Sequence, residues 1–288
     1  MRYHFASPAD VMDRLLASGY VATDAATDAV FLAERLDKAI LVEGPAGVGK
    51  TQLAKSVAEV TGCPLIRLQC YEGLDEAKAL YEWDYRKQLL RLQAAGAEAA
   101  SWAQTESELY SEAFLLPRPL LQALLADEPV VLLIDEVDRI EVETEALLLE
   151  VLAEGQVTVP ELGTLRARHR PLVFLTSNGT RELSEALKRR CLFLHVDYPD
   201  AAREERILRL RLPQLDAALA AHVVRVVTQL RQLDLRKPPS LSESIDWART
   251  LQLLQVTDID DHVLARTLPV LLKHQIDVTH ATARLLQQ

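Results

Sequence analysis

Cysteine is scarce: the 288 residues hold only Cys63, Cys70 and Cys191, an odd number with no CxxC pair. That excludes a disulfide framework and a zinc ribbon, and implies reduced thiols in a cytoplasmic protein. Long apolar runs are missing as well. The longest stretch of branched apolar residues, 130–134, is far short of the ~20 needed to cross a bilayer, so no membrane span is expected. The opening residues, MRYHFASPADVMDRLL, lack the apolar run of roughly 7 to 15 residues that precedes a leader cleavage site, so secretion is not expected. Glycine and proline number 10 and 13, which excludes collagenous and low-complexity chains. An excess of positive charge is also absent: 32 Lys and Arg face 42 Asp and Glu, a net charge of −10. Non-specific nucleic-acid binding is therefore disfavoured.

What remains is a globular composition, 49% hydrophobic and 26% charged, long enough for one large α/β unit or two smaller domains. The charge is unevenly placed. Residues 201–288 hold 12 basic and 10 acidic side chains, leaving 20 and 32 in residues 1–200, so that a boundary near residue 200 is suggested.

Residues 8–36 read as helical from the spacing of Val11, Leu15 and Leu16, and then of Val30, Leu32 and Leu36. Residues 38–43 form a short continuous apolar run, as expected of a strand buried on both faces. Further strands are expected at 64–70, 130–134, 172–178 and 192–196. Residues 71–112 are read as a polar, acid-rich helical insert with nine acids against four bases. Residues 157–168 read as a β-hairpin around Glu161-Leu162-Gly163. After Pro199 the strand signals stop, and helical patterns occupy 215–230 and resume at Ser242 and Asp260. Five strands alternating with helices predict a three-layer α/β fold with a parallel sheet over 1–199, followed by a small all-helical domain over 200–288.

Gly44-Pro45-Ala46-Gly47-Val48-Gly49-Lys50-Thr51 fits GxxxxGK[ST], and fits it after a buried strand and before a helix that opens through Gln52. The glycines let successive backbone N–H groups face one anion, and the helix adds its positive N-terminal end. Lys50 is expected on the β- and γ-phosphates of ATP, with Thr51 Oγ on Mg²⁺. A strand ending in Asp135-Glu136 is in isolation an ordinary turn cap. Beside the first motif, Asp135 reads as the second metal acid and Glu136 as the group that polarises an attacking water. Asn178 ends a strand at the same sheet edge; in isolation it is an ordinary turn residue, and beside the other two strand ends it is placed to orient that water or to sense the γ-phosphate. Lys188-Arg189-Arg190 either neutralises a helix C-terminus or supplies an arginine finger to a neighbouring subunit.

The ordered set GPAGVGKT, LLIDEVDR, TSN and LKRRC, followed by a helical lid, resembles an AAA+ ATPase over nearly the whole chain. Within that superfamily it resembles the MoxR group, whose members assist maturation or activation of metalloenzymes and complexes, often with a von Willebrand factor A-domain partner. The stretch before the loop, the insert beginning Tyr71-Glu72-Gly73-Leu74-Asp75 and the hairpin resemble the CoxD-type subgroup of carbon monoxide dehydrogenase maturation. The resemblance implies an oligomeric, hexameric ATPase with Asn178 as sensor 1 and Arg190 or Arg189 as the finger. One departure stands out: at the position of the sensor 2 arginine the chain has Ser242, leaving Arg236, Lys237 and Arg249 as candidates. A DNA-acting motor or clamp loader, a small-molecule P-loop kinase and a non-hydrolysing switch are the competing classes. The −12 on residues 1–200 counts against the first, and Glu136 against the last.

Overall fold

A computed structural model describes residues 3–95 and 102–285. The stretch 96–101, which includes Glu98 of the acidic insert, lies outside the described residues. The chain forms two compact units. One comprises Met1–Val11, Asp24–Glu43 and Val57–Leu194, the other Met12–Thr23, Gly44–Ser56 and His195–Gln288.

In chain order the elements begin α1 (Pro8–Ala17), α2 (Asp24–Leu36), β1 (Ala39–Glu43), α3 (Lys50–Thr61) and β2 (Leu65–Gln69). Residues 8–36, read as helical, form two helices, because Gly19 sits at φ +78°, a conformation that ends one helix before the next begins. Next come α4 (Glu76–Ala79), β3 (Tyr81–Trp83), α5 (Tyr85–Ala95), α6 (Trp102–Leu109), β4 (Leu115–Pro117) and α7 (Pro119–Leu125). The insert is thus only partly helical. Tyr81-Glu82-Trp83 alternates with the period of a strand and pairs antiparallel with β4, Trp83 opposite Leu115. Trp83 is buried and meets the Tyr110 ring edge-on at 5.2 Å, a contact that a helix over these residues would not give.

The first unit continues through β5 (Val131–Asp135), α8 (Val142–Glu154), β6 (Gln156–Val159), β7 (Gly163–Arg166), β8 (Leu172–Ser177), α9 (Glu185–Lys188) and β9 (Cys191–His195). The main sheet has the order β2-β5-β8-β1-β9, and the pairs β2 with β5, β5 with β8 and β1 with β8 are parallel. Every residue of β5 and β8 is buried, which is why these runs read as continuously apolar. The core joins Leu132, Ile134 and Leu175 of the sheet to Leu120, Leu121 and Leu124 of α7 and to Leu148 and Val151 of α8. The expected hairpin is present as β6 and β7, Val157 opposite Leu165, with Val157 and Val159 buried in the same core.

The second unit contains α10 (Ala201–Arg211), α11 (Ala217–Arg231), α12 (Leu241–Leu253), α13 (Asp261–Leu271) and α14 (Gln275–Leu285), and no strand follows His195 among the described residues. Asp200, Asp216 and Asp260 cap three of these helices with side-chain oxygens, and Ser240 with Glu243 forms a capping box on α12. Trp247, fully buried among Val223, Val227, Leu251 and Leu268, satisfies its indole N–H on Thr267 Oγ1 at 2.9 Å. Glu204, wholly buried, is paired with both arms of Arg231 at 2.6 and 2.9 Å.

Candidate nucleotide-binding and hydrolysis site

The C-terminal ends of β5 and β8 carry the predicted acids and Asn178. Asp135 closes β5 and is 3% exposed. Its Oδ2 accepts from Arg67 Nε at 3.1 Å and from Nη2 at 2.6 Å, and its Oδ1 accepts from the Thr176 hydroxyl. Glu136 follows in the left-handed conformation, φ 59° and ψ 50°, and turns the chain out of the sheet into a short 3₁₀ turn over residues 137–139. A left-handed Glu costs on the order of 1 kcal/mol, offset by its N–H bonding Thr176 Oγ1 at 2.9 Å. The strain exposes the Glu136 carboxylate beyond the strand end. Its Oε2 accepts from Gln69 Nε2 at 3.1 Å and pairs with Arg139 Nε at 2.9 Å.

Asn178 immediately follows β8. Its backbone N–H donates to Asp138 Oδ2 at 3.1 Å, and the same oxygen accepts from the Thr180 N–H and hydroxyl. Burial pushes the Asp138 carboxyl up, but these bonds from Thr180 and Asn178 outweigh it and hold the group below its ordinary value. Beside this edge, burial and then the nearby Asp135, Asp138 and Glu136 push the Cys70 thiol up to about 12, and burial pushes Cys191 equally far against the pull of Lys38 and Arg190. Thiols held so high are poor nucleophiles.

Arg189 and Arg190 lie between α9 and edge strand β9. Arg189 is exposed. Arg190 is half-buried, and its Nη1 donates to Ala186 O of the preceding α9 at 2.7 Å.

The second unit holds the glycine loop. Gly44 and Gly47 take φ of +156° and +76°, and a Cβ at either would collide, at Gly44 with the Val196 carbonyl and at Gly47 with Ser240 Oγ. Lys50 is 7% exposed and opens α3. Its Nζ donates to Gly44 O and Pro45 O, both at 2.7 Å, so the ammonium lies inside the curve of the loop, where phosphate oxygens would replace carbonyls. Ser242 is tied to the same loop, N–H to Gly47 O at 3.2 Å and Oγ to Gly47 O at 3.3 Å.

A cavity of about 350 Å³ opens beside Gly47, Val48, Gly49 and Gln52. Its apolar wall comes from Val21, Ile207, Leu241 and Ile245, which pack as a cluster, and Tyr20 also lines it. Arg203 fixes this wall by donating to Val21 O from Nε at 3.2 Å and Nη2 at 2.9 Å. Apolar walls beside a phosphate loop suit a flat nucleobase. Of the three cations considered for sensor 2, Arg249 lines this cavity. Arg236 and Lys237 instead give their backbone N–H groups to Asp277.

Hard oxygen ligands are what Mg²⁺ takes, and the buried Asp135 carboxylate offers such ligands. Among the described residues no group of three or more His, Cys, Asp or Glu could hold a metal unaided, so nucleotide phosphates and water would complete the shell.

Arg67, Gln69, Thr176, Asp138 and the Tyr20 and Val21 segment were not legible as site residues. The signal for the first two was there: Arg67 and Gln69 alternate with Ile66 and Leu68 along β2, which places two polar side chains on one face of a strand beside β5.

Residues 39–191 match the family model described as AAA domain (dynein-related subfamily). The chain is 28% identical over 242 residues to the uncharacterized protein SERP0979 of Staphylococcus epidermidis, covering 82% of this chain and 81% of that one. The same identity holds over 222 residues to the uncharacterized protein SAB1265c of Staphylococcus aureus, covering 75% and 76%. Among solved structures, the Thermotoga maritima RuvB Holliday junction branch migration motor aligns with a TM-score of 0.50 at 15% identity, covering 93% of this chain and 72% of that one. A point mutant of the same protein gives 0.51 at 16%, covering 93% and 73%. At such identities these two show a shared fold, the P-loop α/β sheet with a C-terminal helical region. The family model spans more than half of the chain, and the chain belongs to the AAA domain family, dynein-related subfamily, of the AAA+ ATPases.

Proposed function

We propose that the protein hydrolyses ATP with Mg²⁺ and couples hydrolysis to remodelling of a protein client, as a hexameric ring of the MoxR kind and CoxD-type subgroup. The observation that carries hydrolysis is the pair Asp135 and Glu136, one buried at the end of β5 and the next thrown outward by a left-handed turn. Lys50 and the loop amides bind the phosphates. Bound Mg²⁺ would neutralise phosphate charge, held by Thr51 and Asp135. Glu136 takes the proton of the attacking water, Asn178 orients that water, and Arg190, or Arg189, reaches the nucleotide of the next subunit. The division into a nucleotide-binding core over 1–199 and a lid over 200–288 belongs to the same reading, as does a cytoplasmic location.

The client is proposed to be a metalloenzyme or complex, with a von Willebrand factor A-domain protein as partner. Support for this comes from the resemblance of the ordered motifs, insert and hairpin to that group. The negative charge of residues 1–200 disfavours a DNA-acting motor. Phosphate release from Mg²⁺-ATP, measured with sizing of the protein at the same concentrations, tests the first part. Activation of a metalloenzyme encoded beside this gene tests the second. A protein that assembles and binds ATP without releasing phosphate would overturn the hydrolytic reading.

A further inference from the structure

Asp135 has one oxygen fixed and one exchangeable. Its Oδ1 is held by the Thr176 hydroxyl, on a buried strand residue with nowhere to go. Its Oδ2 is held by Arg67, whose Nε and Nη2 both aim at that single atom at 3.1 and 2.6 Å. The two partners differ in freedom, since the Asp135 side chain is 4% exposed and the Arg67 side chain 46%. A carboxylate so buried needs a cation beside it, because an unpaired charge in the interior is costly. The cation here sits on a long side chain that water already reaches, so it has somewhere to go when another donor arrives.

The strand register sets this pair. Arg67 lies opposite Leu133 and Gln69 opposite Asp135 in the β2 and β5 ladder, which brings the guanidinium across the strand end. Arg67 Nη2 also donates to Gln69 Oε1. With its oxygen taken, the Gln69 amide turns its NH₂ toward Glu136 Oε2 at 3.1 Å. One guanidinium therefore neutralises the metal acid and fixes the amide that touches the second acid.

We propose that Arg67 is a resident counter-cation for Asp135, which a divalent metal must displace, making it a positioning residue that sets metal affinity. The proposal rests on the reading of Asp135 as the metal acid. Loss of the competitor should tighten metal binding, and loss of the charge should destabilise the metal-free protein.

The test uses Mn²⁺ as probe on the full chain with saturating ADP, following free Mn²⁺ by electron paramagnetic resonance, with thermal melting in EDTA and in excess Mn²⁺. Hydrogen bonds to charged groups imply that Arg67→Met should lower the Mn²⁺ half-saturation roughly ten-fold or more. The same variant should melt below wild type in EDTA and recover most of the difference with Mn²⁺. Equal or weaker Mn²⁺ binding by Arg67→Met, or a melting deficit that Mn²⁺ leaves untouched, would overturn the proposal and reduce Arg67 to a structural cation. Should the Met variant not fold, Arg67→Lys carries the measurement: a lysine cannot reproduce the paired Nε and Nη2 bonds to Asp135 Oδ2, so Mn²⁺ binding tighter than wild type is expected and equal binding overturns the idea. Neither readout needs turnover, so absent phosphate release would sink the ATPase reading while leaving this result standing.

Discussion

Asn178 donates its backbone N–H to Asp138 Oδ2 at 3.1 Å, which ties the end of β8 to the turn that follows Glu136. The candidate water-orienting residue and the candidate base are thus set by one buried carboxylate. Because the bonds from Thr180 and Asn178 leave Asp138 below its ordinary value of 3.8, the folded state resists its protonation more than the unfolded chain does. Its contribution is present above the ordinary value and lost as pH falls through the lower folded value. Asp138→Asn should cost about 1–3 kcal/mol near neutral pH, a loss that shrinks toward about pH 3. Urea unfolding of both proteins at the two pH values checks this, and a difference independent of pH would count against the assignment.

Lys50 and Glu136 should separate binding from hydrolysis. Lys50 lies inside the loop with Nζ 2.7 Å from two of its carbonyls, whereas Glu136 sits beyond the end of β5 with no loop contact required by its role. Lys50→Ala should lose ATP affinity. Glu136→Gln should keep ATP affinity near wild type and lose phosphate release by orders of magnitude. Calorimetric titration with ATP and a phosphate assay on each variant decide it; ordinary turnover in Glu136→Gln removes that residue from the mechanism.

The glycine loop and the acid pair could be singled out from the sequence because the chemistry proposed for them forces both residue type and spacing. Glycines stand where a Cβ would strike Val196 or Ser240, and two acids close an uninterrupted apolar run. The central strands were legible for a related reason, since burial on both faces leaves mainly apolar choices up to the polar residues at their C-terminal ends. The insert was misread in part because its acidic and aromatic content is compatible with an exposed helix. What decides for β3 is the distant partner β4 and the edge-on contact of Trp83 with Tyr110. Asp138 was invisible for the same reason: one acid in LLIDEVDR gains its role only from Thr180 and Asn178, which lie far along the chain. Arg67 showed only as one of two polar residues on a face of β2, and its role comes from Asp135.

The hairpin makes a further division testable. Val157 and Val159 are buried, while Glu161 at its turn is exposed beside a cleft shared with Tyr110 and Glu112 of the insert. The base of the hairpin is therefore core and its tip is surface. Deleting Glu161-Leu162-Gly163 should leave melting temperature and basal phosphate release within about two-fold of wild type, as expected for a surface change, while abolishing client activation. Persistent activation would return the tip to a purely structural role.

The last prediction concerns assembly. Arg189 and Arg190 precede edge strand β9, and no carboxylate pairs with either among the described residues. Lys188, by contrast, is engaged by Glu182 and Glu185, so the neighbouring cation is used locally while these two are not. A cation at a sheet edge with no acid of its own suits the nucleotide of an adjoining subunit. Arg190→Ala should bind ATP like wild type yet lose about 10³- to 10⁵-fold in rate, with Arg189→Ala the second choice. Specific activity should also rise with protein concentration as rings form. Mixing Arg190→Ala with Lys50→Ala subunits gives the discriminating measurement, because some interfaces then join an intact loop to an intact arginine. Partial recovery of phosphate release supports action between subunits. No recovery in demonstrably mixed assemblies, or full activity of both arginine variants, would place the finger elsewhere.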